Sequence, residues 1–222
     1  MKYIFFSVLT AIAFWACKAP ETPKKRGLQA YIRYLADVKQ LRAEATFTEG
    51  DSVPKPVEMA GGVLFQGLPM KLRPMQGITY QTEYAAEYSS PLKFAWSLAP
   101  QQPQTEVSVQ MLPLTAFSFE QEPISLRSPN TFRWQGGKVE DGEAFVFLWE
   151  RIGDGLTVKM EVVQSLVGAE IRFPAAKLAE LQPGRWKLYL VRKRLHKTQV
   201  GGVQVQAVSE YYSKTDTLEL KN

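Results

Sequence analysis

The chain has 222 residues, 45% of them hydrophobic and 22% charged, which is enough apolar material for a substantial core and excludes a disordered or low-complexity chain. Its 27 basic and 22 acidic side chains leave a net charge of +5, a smaller excess than a nucleic-acid binder carries. One cysteine and one histidine exclude a disulfide framework and a Cys/His zinc site, and leave little for histidine-dependent catalysis.

Met1 and Lys2 make a short positive end, and residues 4–16 are an almost unbroken apolar run. A membrane-spanning helix needs about 20 such residues, so the run predicts an export signal helix over residues 1–16. It ends on Ala16 and Cys17, the latter being the one cysteine of the chain. This segment resembles the signals of bacterial lipoproteins, where a small residue precedes a cysteine that becomes lipidated. Phe14 and Trp15 depart from the small or aliphatic residues usual at those positions. The resemblance implies a diacylglyceryl thioether on Cys17, usually with a further N-acyl chain such as palmitate, and so a membrane partner. Lys18 stands where aspartate is a retention signal for the inner membrane in some bacteria, which favours the outer membrane on either face. Residues 17–27, with Pro20, Pro23 and the basic Lys24, Lys25 and Arg26, read as a solvated tether.

Residues 28–40 fit two periods. Leu28, Tyr31, Ile32, Leu35 and Val38 suit a helical face, and the same stretch suits a strand turning through Asp37-Val38-Lys39; the β pattern of the rest of the chain favours strand. From residue 41 onward apolar and polar residues alternate, the mark of half-buried strands. Leu41, Ala43, Ala45 and Phe47 form one such set; Leu92, Phe94, Trp96 and Leu98 form another, as do Val107, Val109 and Met111. Leu156, Val158, Met160 and Val162, then Val203, Val205 and Ala207, repeat the pattern. Residues 144–149 and 186–191 are apolar on both faces and read as central strands. Gly153-Asp154-Gly155 marks a hairpin between residues 144–151 and 156–163. Residues 175–181, between Pro174 and Pro183, predict a helical turn.

Short strands at this spacing predict an all-β chain of two antiparallel β-sandwiches, 28–113 and 114–222, meeting near Pro113. A single larger sandwich is the alternative. The second half has a strand ending on Trp134 before Gly136-Gly137, and a Leu181-Gln182-Pro183-Gly184 corner before the strand at 185–192. These motifs resemble the immunoglobulin-like and fibronectin type III modules of extracytoplasmic bacterial proteins. The resemblance implies a fold and no function. The tyrosine expected six positions after that leucine is Lys187 here, flanked by Trp186 and Tyr189.

Catalytic candidates are sparse. Ser90-Pro91-Leu92-Lys93 spells the S-x-x-K string of penicillin-recognising enzymes but leads into a strand and lacks their K-T-G element. His196 sits in a basic run and is expected at a solvated strand end or turn. Glu49/Asp51 and Glu140/Asp141/Glu143 lie beside glycines, where carboxylates are exposed turn residues by default; a hydrolase would need two facing across a substrate. No catalytic, cofactor or metal site is expected. Two candidate binding features remain. Tyr80, Tyr84 and Tyr88 share one face of an extended segment, a core stripe or a sugar-stacking platform. Arg192, Lys193, Arg194 and Lys197 are candidate contacts for an anionic partner or are a solvated hairpin. The expectation is a non-enzymatic, lipid-anchored module of the cell envelope that binds a protein or glycan, not nucleic acid. A carbohydrate-binding surface lipoprotein using exposed tyrosines or tryptophans is the first alternative, and a carboxylate hydrolase the second.

Overall fold

The computed structural model describes residues 25–74, 77–162 and 168–222, so the signal segment and Cys17 lie outside the described residues. Alternating segments become strands nearly throughout. β1 (Arg26–Leu35) and β2 (Gln40–Glu49) form an antiparallel hairpin closed by Lys39 at a φ of 50°. Residues 28–40 are thus strand and turn, and β1 begins inside the stretch expected as tether. Even-numbered residues of β1 from Leu28 onward are buried and odd-numbered ones are not, so period two wins over the helical period.

The first half continues with β3 (Lys55–Val57), β4 (Val63–Phe65), β5 (Leu68–Pro69), β6 (Lys71–Arg73), β7 (Thr79–Ala85), β8 (Leu92–Trp96) and β9 (Thr105–Val109). The second half opens with β10 (Ala116–Phe119), β11 (Ile124–Ser125) and β12 (Asn130–Gln135). β13 (Glu143–Arg151) and β14 (Thr157–Val162) pair as the hairpin expected around Gly153-Asp154-Gly155. Then come β15 (Glu170–Phe173), the single-turn helix α1 (Ala175–Leu178), β16 (Gly184–Val200), β17 (Val203–Tyr212) and β18 (Asp216–Lys221).

The fold is all-β, with sheets layered as in a sandwich. Among the described residues an 11-stranded sheet runs β11-β18-β16-β17-β1-β2-β7-β6, with β13 and β14 joined along β16 and β3 along β2. A four-stranded sheet, β5-β4-β8-β9, covers one half of it, where the Phe47 and Trp96 rings meet at 5.4 Å. A three-stranded sheet, β10-β12-β15, covers the other half, with Phe132 and Phe173 each 4.9 Å from Phe147. Apolar faces from both layers interdigitate into the core, and Trp96, Trp149 and Trp186 are among its largest fully buried side chains.

The pairing departs from the expected pair of antiparallel units in two ways. β17 lies parallel to β1, from Arg26 opposite Val203 to Leu35 opposite Tyr212, and β11 lies parallel to β18. The 17-residue β16 pairs with β13 and β18 through its first half and with β17 from Val191 onward. The β16–β17 hairpin therefore joins strands on both sides of Pro113, and the large sheet does not part there.

Two features of the second half explain its motifs. Trp134 is 5% exposed, and its Nε1–H donates to the Gly137 carbonyl at 2.7 Å, tying the Gly-Gly turn to the core. Trp186 is fully buried, and its Nε1–H donates to the Gln182 carbonyl at 2.9 Å. An indole thus ties back the corner for which the resemblance implied a tyrosine one position further on.

Candidate functional site

Among the described residues, half of the large sheet has no second layer on its outer face. There the odd-numbered residues of β1 meet even-numbered residues of β2 and β17 and odd-numbered residues of β7 and β16. The registers stack them into rows across five strands. One row reads Glu83, Arg42, Arg33, Glu210, Lys193; the next reads Gln81, Glu44, Tyr31, Val208, Leu195; the third reads Thr79, Thr46, Gln29, Gln206, Lys197.

The parallel β1–β17 pairing assembles a cluster in the first two rows. Arg33 lies opposite Glu210, with Nε 3.9 Å from the carboxylate. The Tyr31 hydroxyl donates to Glu210 Oε2, and the Tyr212 hydroxyl donates to the same oxygen at 3.1 Å. Arg33 Nη2 donates to the Tyr31 oxygen at 2.7 Å. The guanidinium carbon sits 5.4 Å from the Tyr31 ring centre and 5.0 Å from that of Tyr212, and Tyr189 stacks on Tyr212 at 6.4 Å. Burial raises the Tyr31 phenol above its ordinary value, and the hydrogen bond to Glu210 raises it further. Burial and the Glu210 charge do the same for Tyr212. Both phenols stay protonated at neutral pH and serve as donors, so the rings are locked and only half buried.

Beside this cluster the face is hollowed. A hollow of about 410 Å³ runs from Tyr31 past Gln29, Thr46 and Gln206. It meets a second, of about 650 Å³, that shares Gln29 and Gln206 and extends over Gly27, Thr48 and Gln204 to Lys25 and Asp51. Gly27 keeps the floor low, because a Cβ there would come within 2.8 Å of Thr48 Oγ1.

The residues singled out from the sequence lie elsewhere or act differently. Tyr80 is 4% exposed and its oxygen accepts the Met59 N–H at 2.7 Å, so it belongs to the core. Tyr88 lies beyond β7, donates to the Met111 carbonyl, and packs edge-on against Tyr34 and Tyr211. Tyr84 packs partly buried against the core. The three therefore form no stacking platform, because their exposed neighbours Glu83 and Glu87 take the outer face.

The basic run is likewise divided. Period two sends Lys193 and Lys197 to the outer face and Arg192 and Arg194 inward. Arg192 is 2% exposed: Nη2 contacts Glu143 Oε2 at 2.7 Å and the Lys138 carbonyl at 2.7 Å, and Nη1 donates to the Gly136 carbonyl. It cannot reach an external anion, which corrects its expected role. Arg194 is held by Glu140 at 3.2 Å and Glu143 at 3.6 Å. Glu143, expected to be exposed in a turn, is buried as the partner of both arginines. A Cβ on Gly136 would fall onto the Pro113 carbonyl oxygen, so this clasp forms only with glycine there.

His196 lies within β16 rather than at a strand end, with Nε2 3.2 Å from Ser209 Oγ. Ser209 is 1% exposed and its hydroxyl donates to the Gln110 carbonyl at 3.0 Å, so it faces no substrate. Burial lowers the His196 value, and the Arg194 charge adds to the shift. Ser90 bonds Gln110 and the Met111 N–H, while Lys93 pairs with Glu106 at 2.9 Å, so the S-x-x-K string is not assembled as a site. Glu49 pairs with Arg26 at 3.0 Å and Asp51 with Lys25 at 3.8 Å. Among the described residues no three metal-ligating side chains gather.

Sequence reasoning misses Tyr31, Arg33, Glu210 and Tyr212. Tyr31 falls in an apolar stripe when helical spacing is applied, and its bonding partner Glu210 is 179 residues away. The signal that could have found it is Tyr31-Ile32-Arg33-Tyr34 itself: once residue 32 points inward, 31 and 33 must point out.

No family model and no curated protein matches the chain. Among solved structures it is similar to the crystal structure of chicken CNTN1 FN1-FN3 domains, at 9% identity and a TM-score of 0.23, over 90% of this chain and 68% of that one. The all-β class rests on the sheets themselves.

Proposed function

We propose that this is an exported protein of the bacterial cell envelope, held at the outer membrane by lipid on Cys17, that works by binding and uses the open face of β1, β2, β7, β16 and β17 as its contact surface. The observation that carries this reading is the Tyr31–Arg33–Glu210–Tyr212 cluster. Arg33 and Glu210 stand 3.9 Å apart and are still reached by water, and a pair so loose contributes about 1 kcal/mol to stability, a weak reason to gather two phenols, a guanidinium and a carboxylate there. Rings already immobilised offer a partner contact area at a low entropic cost. The partner is a protein or glycan of the envelope.

Two measurements test this. A photo-crosslinking residue in place of Gln206 should form an adduct in intact envelopes, and one in place of Arg133, on the far layer, should not. Equal labelling at both positions, or none at Gln206, would remove the face from consideration. Cys17→Ser should shift the protein from the membrane to the soluble fraction and abolish incorporation of labelled palmitate; continued acylation would refute the anchor.

A further inference from the structure

Resting on that reading, we infer that the trough along β1 takes a neutral polysaccharide chain, laid from Tyr31 towards Arg26 across Gln29, Gln206 and Gln204. The lining selects the chemistry. Gln29, Gln204 and Gln206 enter no side-chain hydrogen bond among the described residues, so each amide has two donors and an acceptor to offer. Thr48 adds a hydroxyl, and Thr46 a second that it shares with the Thr79 hydroxyl at 3.0 Å. Sugar hydroxyls are donors and acceptors at once, and this mixture of free amides and hydroxyls matches them.

Other ligand classes fit less well. The trough has no wall of large apolar side chains for a hydrophobic peptide, and it lies on a sheet face, where backbone groups are already paired and cannot receive an added strand. A polyanion needs several free cations. Here Arg26 is paired with Glu49, Lys25 with Asp51, Arg42 with Glu44 at 2.6 Å, and Arg33 with Glu210. That leaves Lys197, which lines the trough, and Lys193, which stands opposite Glu210 outside it, as the cations of these five strands' open face without an ion pair among the described residues. At its head the trough has an aromatic wall. Arg33 covers the Tyr31 ring from one side, and Tyr31 lines the hollow on the Gln29 side, where the apolar face of a pyranose would stack. From Tyr31 to Arg26 the strand runs about 17 Å, room for several sugar rings and more than a single sugar needs.

Affinity electrophoresis of the detergent-solubilised full-length protein tests the inference. The gels would contain hydroxyethyl cellulose, glycogen, galactomannan or, as the acidic control, alginate. Retardation is expected with at least one of the three neutral polymers and not with alginate. The double variant Gln29→Ala, Gln206→Ala should weaken it at least tenfold with an unchanged thermal melt, because neither amide supports the fold. Retardation that survives the double variant, retardation by alginate alone, or none with any neutral polymer overturns the inference. If none is seen but the Gln206 crosslinker still forms its adduct, the binding face stands and the neutral glycan falls. If both fail, the face itself is refuted.

Discussion

Two clusters in this molecule use the same parts to different ends. At Arg192 a guanidinium meets Glu143 beside Phe145, inside the protein, with both side chains 1% exposed and the carbonyls of Gly136 and Lys138 closing over them. At Arg33 a guanidinium meets Glu210 between two tyrosine rings, on a face open to water. The inner pair is desolvated on all sides, so its parts are interdependent and its role is to hold the β12–β13 connection against β16. The outer pair is only partly covered, with Arg33 38% and Glu210 14% exposed at the side chain, so water screens it more than the inner one and ring faces and neighbouring amides stay available. What separates the structural clasp from the proposed contact surface is therefore backbone cover: the Gly136 and Lys138 carbonyls close over the one, and none among the described residues closes over the other.

Breaking each cluster in turn should separate them. Glu143→Ala strands a buried guanidinium and is expected to cost about 3–5 kcal/mol, read as a fall in the urea midpoint. Glu210→Ala frees two phenols and a guanidinium that water still reaches, and should cost less, about 1–2 kcal/mol. Equal losses would erase the distinction. Trp134→Ala should also cost about 3–5 kcal/mol, since the indole both fills the core and holds the Gly137 carbonyl beside the clasp. Trp134→Phe, which keeps most of the packing and loses the N–H donor, should cost about 1–3 kcal/mol if the hydrogen bond matters and much less if only volume does.

The smallest effect concerns His196, near the inner cluster. Its folded value lies below the ordinary 6.5, so the unfolded chain takes up the proton more readily. The stability linked to it is present above about pH 6.5 and is lost as pH falls through the folded value. His196→Gln should flatten that part of the profile of urea midpoint against pH in the range from about 7.5 to about 5.5, leaving only the carboxylate contribution. An unaltered slope would mean that the imidazole is solvated in the fold.

Much of the layering was legible because it depends on the period of the apolar residues. Leu41 to Phe47, Leu92 to Trp96 and Val203 to Ala207 point inward as their alternation requires. The both-face strand at 144–149 is buried on both faces save Leu148, and it is paired along both edges, with β14 on one side and β16 on the other. The site was less legible. Arg192 to Lys197 reads as one basic patch along the chain, yet alternate side chains leave a strand on opposite faces, so no such patch exists in space. Tyr80, Tyr84 and Tyr88 do share a face, but which face turns inward depends on the layer that covers it.

Periodicity, glycine-marked turns and the scarcity of cysteine and histidine are local or additive properties, and they suffice to establish an all-β chain and to discourage several chemistries. Strand partnership is neither local nor additive. Alternation specifies which residues of β1 can face water, but nothing in residues 26–35 names residues 203–212 as the neighbour. The parallel register between those segments, set only when both layers and the long β16 come together, is what puts Glu210 and Tyr212 beside Tyr31 and Arg33.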